Sequence, residues 1–165
     1  MTIRIATAGP ADYPAVLELN EGAVPNVNSI SESTLKNLDE QSRFFCLARD
    51  SANLAGFLLA LPESASYDSP NFRYFKDRYP RFTYVDRIVV SEDHRRRGVG
   101  RKLYSALFEE VRHSTPMVTC EVNLIPPNPD SLQFHENLGF REVGQQESER
   151  GSKRVSLLIC PLQSG

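Results

Sequence analysis

A basic, glycine-containing turn between a strand and a helix constrains this chain more than any other segment. An apolar, β-branched run ends at Val90, the sequence Arg-Arg-Arg-Gly-Val-Gly occupies 95–100, and helical periodicity extends over Arg101–Arg112. The first amides of a helix lack partners within the helix, and the helix dipole favours negative charge beside them. The turn therefore predicts a site for a phosphate-bearing ligand.

Two well-known phosphate-binding motifs do not fit this turn. Gly98 and Gly100 give G-x-G, but Leu103 occupies the third glycine position of a dinucleotide-binding fingerprint. The glycine spacing and the lack of Gly-Lys-Ser/Thr exclude a Walker A loop. What remains is R-x-x-G-x-G from Arg95 to Gly100, in which the glycines let the backbone approach a ligand closely. The alternative is an exposed basic helix start whose glycines serve only the turn.

The length and charge of the chain narrow the classes of protein further. Its 165 residues are typical of one domain, which we expect over 1–165. The formal net charge of −2 does not indicate binding to nucleic acid or to an anionic membrane through overall charge. No apolar run approaches the roughly 18 residues that span a bilayer, and the start lacks a basic segment followed by an apolar one. Three scattered cysteines do not make a disulfide framework or a zinc site, so we expect no metal and a cytoplasmic location.

Hydrophobic periodicity predicts an α/β protein with a mixed sheet. The expected strands are Ile3–Thr7, Phe44–Arg49, Leu54–Leu61, Phe82–Val90, Met117–Asn123, Arg141–Gln146 and Arg154–Pro161. The expected helices are Pro10–Asn20, Ser31–Gln41, Val99–His113 and Asn128–Leu138. This gives the order β-α-α-β-β-β-α-β-α-β-β, with helices on both faces of the sheet.

Two parts of this order bear on function. The strand–helix–strand unit over 82–123 predicts a parallel pair of strands with a right-handed crossover. The irregular segment Ser64–Pro80 is rich in Ser, Asp, Tyr and Arg and has room for a short helix. Its length is typical of a loop that covers a site.

Two sequence blocks carry a family resemblance. The run from Arg95 to Gly100, placed after the strand segment Ile88–Val90, resembles motif A of the GNAT superfamily of acyl-CoA-dependent N-acetyltransferases. A second block matches the family pattern N-x-x-A-x-x-x-Y-x-x-x-G-F in spacing, through Asn128, Ser131, His135, Gly139 and Phe140. The stretch Val85–Gly144 also resembles a bacterial subgroup of predicted acetyltransferases. The resemblance implies the GNAT-like acyl-CoA N-acyltransferase fold.

The resemblance also implies how acetyl-CoA would bind. The backbone of Ile88 and Val90 would pair with the pantetheine arm as an added strand, and an N–H near Val89 or Val90 would stabilise the oxyanion. The amides of residues 96–101 would cradle the pyrophosphate. The residues in this cofactor set are Ile88, Val89, Val90, Arg95, Arg96, Arg97, Gly98, Val99, Gly100, Arg101, Asn128 and Ser131. For Asn128, local helix capping is an equally good explanation.

Two residues are candidates for catalysis. His135 stands where the family has a tyrosine that often protonates the departing CoA thiolate, and an ordinary histidine pKa of about 6.5 suits that role. The alternative is a histidine that only packs in the helix. Glu121 lies in mid-strand, where a carboxylate is costly unless it is paired or faces a cavity. It is a candidate general base or substrate ligand, with a structural ion pair as the alternative.

The predicted acceptor end rests on four residues. Strand alternation places Tyr84, Asp86, Ile88 and Val90 on one face and Arg87 on the other. Asp86 either meets the substrate or forms an ion pair with Arg87 from a neighbouring strand. The first helix leads into a segment where this family often builds its acceptor pocket. The candidate acceptor residues are Asn20, Glu21, Tyr84 and Asp86.

The resulting hypothesis is an N-acetyltransferase that moves an acetyl group from acetyl-CoA to a primary amine of a small molecule or peptide. The amine would attack directly in a ternary complex, so the expected partners are acetyl-CoA and an amine acceptor, with no nucleic acid and no membrane. Homodimers are common in the family. The first alternative is a non-catalytic acyl-CoA binding or sensor module, and the second is an interaction protein that keeps only the fold.

Overall fold

A seven-stranded mixed sheet with helices on both faces forms the body of the computed structural model, which describes residues 2–148 and 151–163. The strands are β1 (Ile3–Thr7), β2 (Phe44–Asp50), β3 (Asn53–Pro62), β4 (Thr83–Val90), β5 (Met117–Ile125), β6 (Arg141–Ser148) and β7 (Lys153–Pro161). The helices are α1 (Tyr13–Glu21), α2 (Glu32–Gln41), α3 (Pro70–Arg78), α4 (Val99–Val111) and α5 (Pro129–Asn137). The strand order is β1-β2-β3-β4-β5-β7-β6. The predicted fold class is confirmed.

Helix α3 is missing from the predicted element order. The order expected from the sequence passes directly from the third strand to the fourth, whereas the structure places α3 between β3 and β4. Ser69 caps this helix, because its side chain accepts a hydrogen bond from the Phe72 amide at 3.3 Å, and Pro70 occupies the first turn. Phe72 and Phe75 are fully buried and fasten α3 to the sheet.

Two hydrophobic cores lie on opposite faces of the sheet. One contains the apolar side of α4, including Leu103 and Leu107, packed on β3, β4 and β5. The other contains buried side chains of α1, α2 and α3, including Val16 and Leu35. The sheet is therefore covered on both sides, as predicted.

The centre of the sheet opens between β4 and β5. These strands pair in parallel, as predicted, but only at Thr83 with Val118 and Tyr84 with Thr119. Beyond Tyr84 they separate, while β3 follows β4 as far as Val90. The gap between β4 and β5 leaves room for a ligand between two strands of one sheet.

A bulge at Asp86 overturns the predicted alternation along β4. Leu59 of β3 is opposite Arg87 and Ala60 is opposite Val85, so Asp86 is an extra residue without an opposing partner. After the bulge the faces exchange. Tyr84 and Val89 pack in the core of α1 to α3, whereas Val85, Ile88 and Val90 pack toward α4. The prediction that Tyr84, Asp86, Ile88 and Val90 share one face is wrong.

Gly56 of β3 allows β4 to approach closely. A Cβ at this position would lie 2.7 Å from the Val89 carbonyl oxygen, and the backbone cannot move away cheaply. We expect Gly56→Ala to lower the free energy of unfolding by about 1–3 kcal/mol, measured by urea denaturation. Gly9→Ala is the matched control, because a Cβ at Gly9 meets nothing within 4 Å. Equal stability of the two variants would contradict this account.

Candidate active site

One cavity of about 1080 Å³ occupies the gap between β4 and β5. Its basic end is lined by the second half of β4, the turn at 95–98 and the starts of α4 and α5. Its acidic end is lined by residues 23 and 26–28 after α1, by residues 67–71, by β5 and by Lys153. The cavity therefore joins the predicted phosphate site to the two candidate carboxylates.

The basic turn presents a concave set of backbone amides at the start of α4. Arg96 and Gly98 have left-handed backbone conformations, with φ of 63° and 79°. The Lys102 amide donates to the Gly98 carbonyl at 3.0 Å and closes the first turn of α4. The amides of residues 99–101 precede that bond and have no partner within the helix. A Cβ at Gly98 would meet nothing within 4 Å, so the turn is open at this residue. Unpaired amides beside an open turn are suited to binding a phosphate group.

Positive side chains surround these amides. Arg95, Arg96 and Arg101 line the basic end of the cavity. Arg97 lies in the same turn and is exposed. The charge of this end is therefore suited to a polyanionic ligand, and the individual roles of the arginines stay predictions.

The free edge of β4 turns its backbone toward the gap. The Ser91 amide donates to the Ala55 carbonyl of β3 at 2.8 Å. Because backbone groups alternate along a strand, those of Val89 also point to β3, and those of Ile88 and Val90 point into the gap. Ile88 and Val90 are thus the residues that can pair with an added extended chain. An N–H for the oxyanion is available from Val90 rather than from Val89.

The start of α5 closes the basic end. Asn128 and Ser131 line the cavity beside Phe134. A Cβ at Gly100 would lie 2.9 Å from the Phe134 ring, so this glycine allows α4 to approach α5. Asn128 stands at the N-cap position, but its side chain makes no capping hydrogen bond. Local capping therefore does not account for this side chain.

Glu121 is the central group of the acidic end. The Tyr84 hydroxyl donates to Glu121 Oε1 at 2.6 Å. The pKa of Glu121 is raised to about 7. Burial is the largest cause and raises the pKa, the hydrogen bond from Tyr84 lowers it, and the nearby charge of Asp86 raises it. A carboxyl group with this pKa exchanges a proton readily near neutral pH, as a general base must.

Asp86 forms an ion pair, although with a residue of its own strand. Arg87 Nε donates to Asp86 Oδ2 at 2.8 Å, and the Tyr67 hydroxyl donates to Asp86 Oδ1 at 2.6 Å. The bulge makes this contact between sequence neighbours possible. The same guanidinium reaches the loop after α1, with Nη1 donating to Asn20 Oδ1 at 3.0 Å and Nη2 to Asn28 Oδ1 at 2.8 Å. Asp86 and Arg87 therefore hold the wall of the acidic end in place.

Asn20 and Glu21 do not form the wall of the cavity. Asn20 is fully buried in the last turn of α1, where it contacts Arg87 and Asn28. Glu21 is exposed and accepts a hydrogen bond from Ser29. The loop lines the cavity with Ala23 and with residues 26–28 instead. Helix α1 extends one residue beyond its predicted end, so the chain turns into the site later than expected.

Comparisons with known proteins decide the family. The model of the acetyltransferase (GNAT) family matches residues 13–140. The chain belongs to the GNAT family. It is 30% identical over 170 aligned positions to the L-amino acid N-acyltransferase MnaT of Escherichia coli, covering 99% of this chain and 94% of that protein. It is 28% identical over 149 residues to an L-methionine sulfoximine/L-methionine sulfone acetyltransferase of Pseudomonas aeruginosa, covering 88% and 84%.

Solved structures share the fold along the whole chain. A putative acetyltransferase from Salmonella typhimurium, yncA, solved with its cofactor acetyl-CoA, superposes with a TM-score of 0.76 at 19% identity. The superposition covers 100% of this chain and 96% of that one. Ard1 from Thermoplasma volcanium gives a TM-score of 0.79 at 17% identity, with 99% and 100% covered. This GNAT protein is an N-acetyltransferase that uses acetyl-CoA.

His135 lies within the packed interface of α4 and α5. Its side chain is 3% exposed, Nδ1 lies 2.8 Å from the Ser131 carbonyl oxygen and Nε2 lies 2.7 Å from the Tyr104 hydroxyl. A carbonyl only accepts, so Nδ1 carries the proton and Nε2 accepts from Tyr104. Burial lowers the pKa of His135. Both nitrogens are thus engaged, which favours the packing alternative, and proton donation by His135 stays a prediction.

Four residues of the acidic end were not predicted from the sequence. Tyr67 and Asn28 lie in segments without regular secondary structure. In such segments no helical or strand periodicity predicts which side chains face a site. Asn123 lies two residues after Glu121 on β5, so strand alternation could have placed it beside Glu121. Lys153 comes from β7 and depends on pairing between distant segments.

No helix among the described residues is long and apolar enough to cross a membrane. Within residues 2–148 and 151–163, no group of three or more His, Cys, Asp or Glu side chains is arranged to hold a metal ion.

Proposed function

We propose that this enzyme acetylates the primary amine of a small molecule by direct attack in a ternary complex, with Glu121 as the proton acceptor. The observation that carries this proposal is the position of Glu121. Its carboxyl group lies in the same cavity as the open edge of β4, and its pKa is about 7. The alternative of a purely structural ion pair is disfavoured, because the described residues form no ion pair with Glu121 within 4.0 Å.

Acetyl transfer from a thioester to an amine requires only a few functional groups of the protein. Bound acetyl-CoA supplies an electrophilic thioester carbonyl. Glu121 takes a proton from the acceptor ammonium, directly or through one water, and so provides the neutral amine that can attack. The Val90 N–H faces the gap and would donate to the carbonyl oxygen as it gains negative charge. Tyr84 holds the Glu121 carboxylate in one orientation through its hydroxyl.

The acceptor is proposed to be an amino acid or a close derivative. The relatives named above act, by their names, on L-amino acids and on L-methionine sulfoximine or sulfone. The acidic end offers polar contacts from Asn28 and Asn123 and aromatic walls from Tyr67 and Tyr84. Such a lining suits a small polar molecule. Homodimer formation, a cytoplasmic location and the single domain over 1–165 stay predictions.

A steady-state assay of free CoA thiol tests the proposal. Purified protein with acetyl-CoA would be offered amino acids, amino acid derivatives, simple amines and short peptides. We expect release of CoA to depend on the acceptor and to saturate with it. Release that is no faster with any acceptor than without one would favour the alternative of an acyl-CoA sensor. One observation favours that alternative, since His135 is engaged at both nitrogens and leaves the thiolate without an assigned proton donor.

His135→Phe separates packing from catalysis. The substitution removes the hydrogen bond from the buried Tyr104 hydroxyl to His135 and leaves only the weaker Cys120 thiol beside it, so we expect the free energy of unfolding to fall by about 1–3 kcal/mol. We expect kcat to change less than about tenfold, because the imidazole proton is directed at Ser131 and not at the cavity. Urea denaturation and steady-state kinetics measure both. A loss of kcat of about 100-fold with unchanged stability would instead establish His135 as the proton donor.

A further inference from the structure

We propose that Asn123 and Lys153 bind a carboxylate of the acceptor, so that the enzyme selects primary amines that carry an anionic group. This inference rests on the proposed function and adds the residues that would decide the specificity.

Asn123 is a buried amide that lacks a hydrogen-bond partner. Its side chain lines the acidic end, the residue is 6% exposed, and Nδ2 has no acceptor among the described residues. A buried N–H without an acceptor is costly and rare in folded proteins. The Nδ2 atom itself is covered, so the amide must turn toward the cavity, where an oxygen atom of a bound molecule would supply the missing acceptor.

Lys153 brings positive charge to the same face of the sheet. In β7, Leu157 is opposite Glu121 and Val155 is opposite Asn123, so Lys153 occupies the next position on that face. It lines the cavity, and its charge lowers the pKa of Glu121. The ion pairs found among the described residues do not include Lys153. Its positive charge therefore lies beside the cavity, close enough to Glu121 to act on it.

The remaining charges of the acidic end leave it receptive to an anion. Asp86 is paired with Arg87, whose side chain is 2% exposed, and Asp68 is paired with Arg73. Glu121 has a pKa of about 7 and so carries only part of a negative charge at neutral pH. The acidic end thus contains one carboxyl group suited to an amine and one lysine suited to a carboxylate.

The spacing along β5 fits a compact zwitterion. Residues two apart on one face of a strand are separated by about 7 Å. Glu121 and Asn123 are placed in this way, and Lys153 lies beyond Asn123 on the same face. An amine near Glu121 and a carboxylate near Asn123 and Lys153 can therefore belong to one small molecule. An α-amino acid has both groups on one carbon.

Paired acceptors test this inference. We would measure kcat/KM for L-alanine, L-leucine and L-methionine sulfone, each against its C-terminal amide, which keeps the amine and lacks the carboxylate. The wild-type enzyme is expected to prefer the acid over the amide. In Lys153→Met, and in Asn123→Asp, which replaces the amide donor by a carboxyl group, the acid-to-amide ratio is expected to fall about tenfold or more. Lys36→Met on the exposed side of α2 is the matched control and should keep the wild-type ratio.

The outcomes separate this inference from the proposed function. Turnover of amines with equal kcat/KM for acids and amides would overturn the carboxylate site and leave the acetyltransferase intact. An unchanged acid-to-amide ratio in both Lys153→Met and Asn123→Asp would overturn the role of these residues. Absence of turnover with every acceptor, in protein that binds acetyl-CoA, would overturn the proposed acceptor class together with the inference.

Discussion

Glu121→Gln is expected to lower kcat for acetyl transfer by about 10²- to 10⁴-fold, the usual contribution of a positioned general base. Glutamine keeps the shape of the side chain and can still accept a hydrogen bond from Tyr84, so the fold and the binding of acetyl-CoA should be preserved. The loss should therefore appear in kcat and not in the affinity for the cofactor. Stopped assays of acetylated product at saturating substrates measure it.

The pH dependence of kcat provides a second readout of the same residue. A general base acts in its ionised form, and burial holds the pKa of Glu121 at about 7. The carboxyl group is protonated below this pH and ionised above it, so kcat should rise with pH through about 7 and then level off. Glu121→Gln should lose this rise of kcat with pH, which is the limb of the pH profile assigned to Glu121. The exposed Glu110→Gln on α4 is the matched control and should retain both the limb and the rate. An unaltered profile in Glu121→Gln would exclude Glu121 as the base.

Local rules are enough to predict the basic turn and the start of α4. The sequence predicts that the turn from Arg95 to Gly100 lies between a strand and a helix, because glycines, charge and helical periodicity change within a few residues. The structure begins α4 at Val99 and gives Gly98 the left-handed conformation that such a turn needs. Each of these features depends on neighbours in the sequence, which a single sequence contains.

The acidic end depends on contacts that a single sequence does not contain. The bulge at Asp86 exists because β3 pairs with β4 in a shifted register, and it reverses the faces that simple alternation predicts. Asn20 is predicted to contact the acceptor, but it lies buried behind the wall of the cavity, where Arg87 from β4 donates a hydrogen bond to it. Glu121 was found from its unusual position in a strand. Its raised pKa required the burial and the partners that only the folded sheet supplies.

Gly98→Glu is expected to weaken acetyl-CoA binding by at least about 100-fold. A non-glycine residue with φ of 79° costs roughly 1–2 kcal/mol, which the free protein relieves by changing the turn and must supply again on binding, and a carboxylate at the start of α4 would repel the pyrophosphate that the amides attract. A tenfold change in affinity corresponds to about 1.4 kcal/mol, so strain and repulsion together account for the expected loss. Calorimetric titration of acetyl-CoA into wild type and variant measures it.

Gly98→Asn separates the two causes. Asparagine tolerates the left-handed conformation better than most residues and carries no charge, and a Cβ at Gly98 meets nothing within 4 Å. We therefore expect Gly98→Asn to bind acetyl-CoA within about tenfold of the wild type. Thermal unfolding should show that both variants fold, since the residue is exposed at the turn. If Gly98→Glu folds and binds acetyl-CoA as tightly as the wild type, the pyrophosphate does not lie at this turn. The basic helix start would then serve only the fold, and the positions assigned to Ile88 and Val90 along the pantetheine arm would have to be abandoned with it.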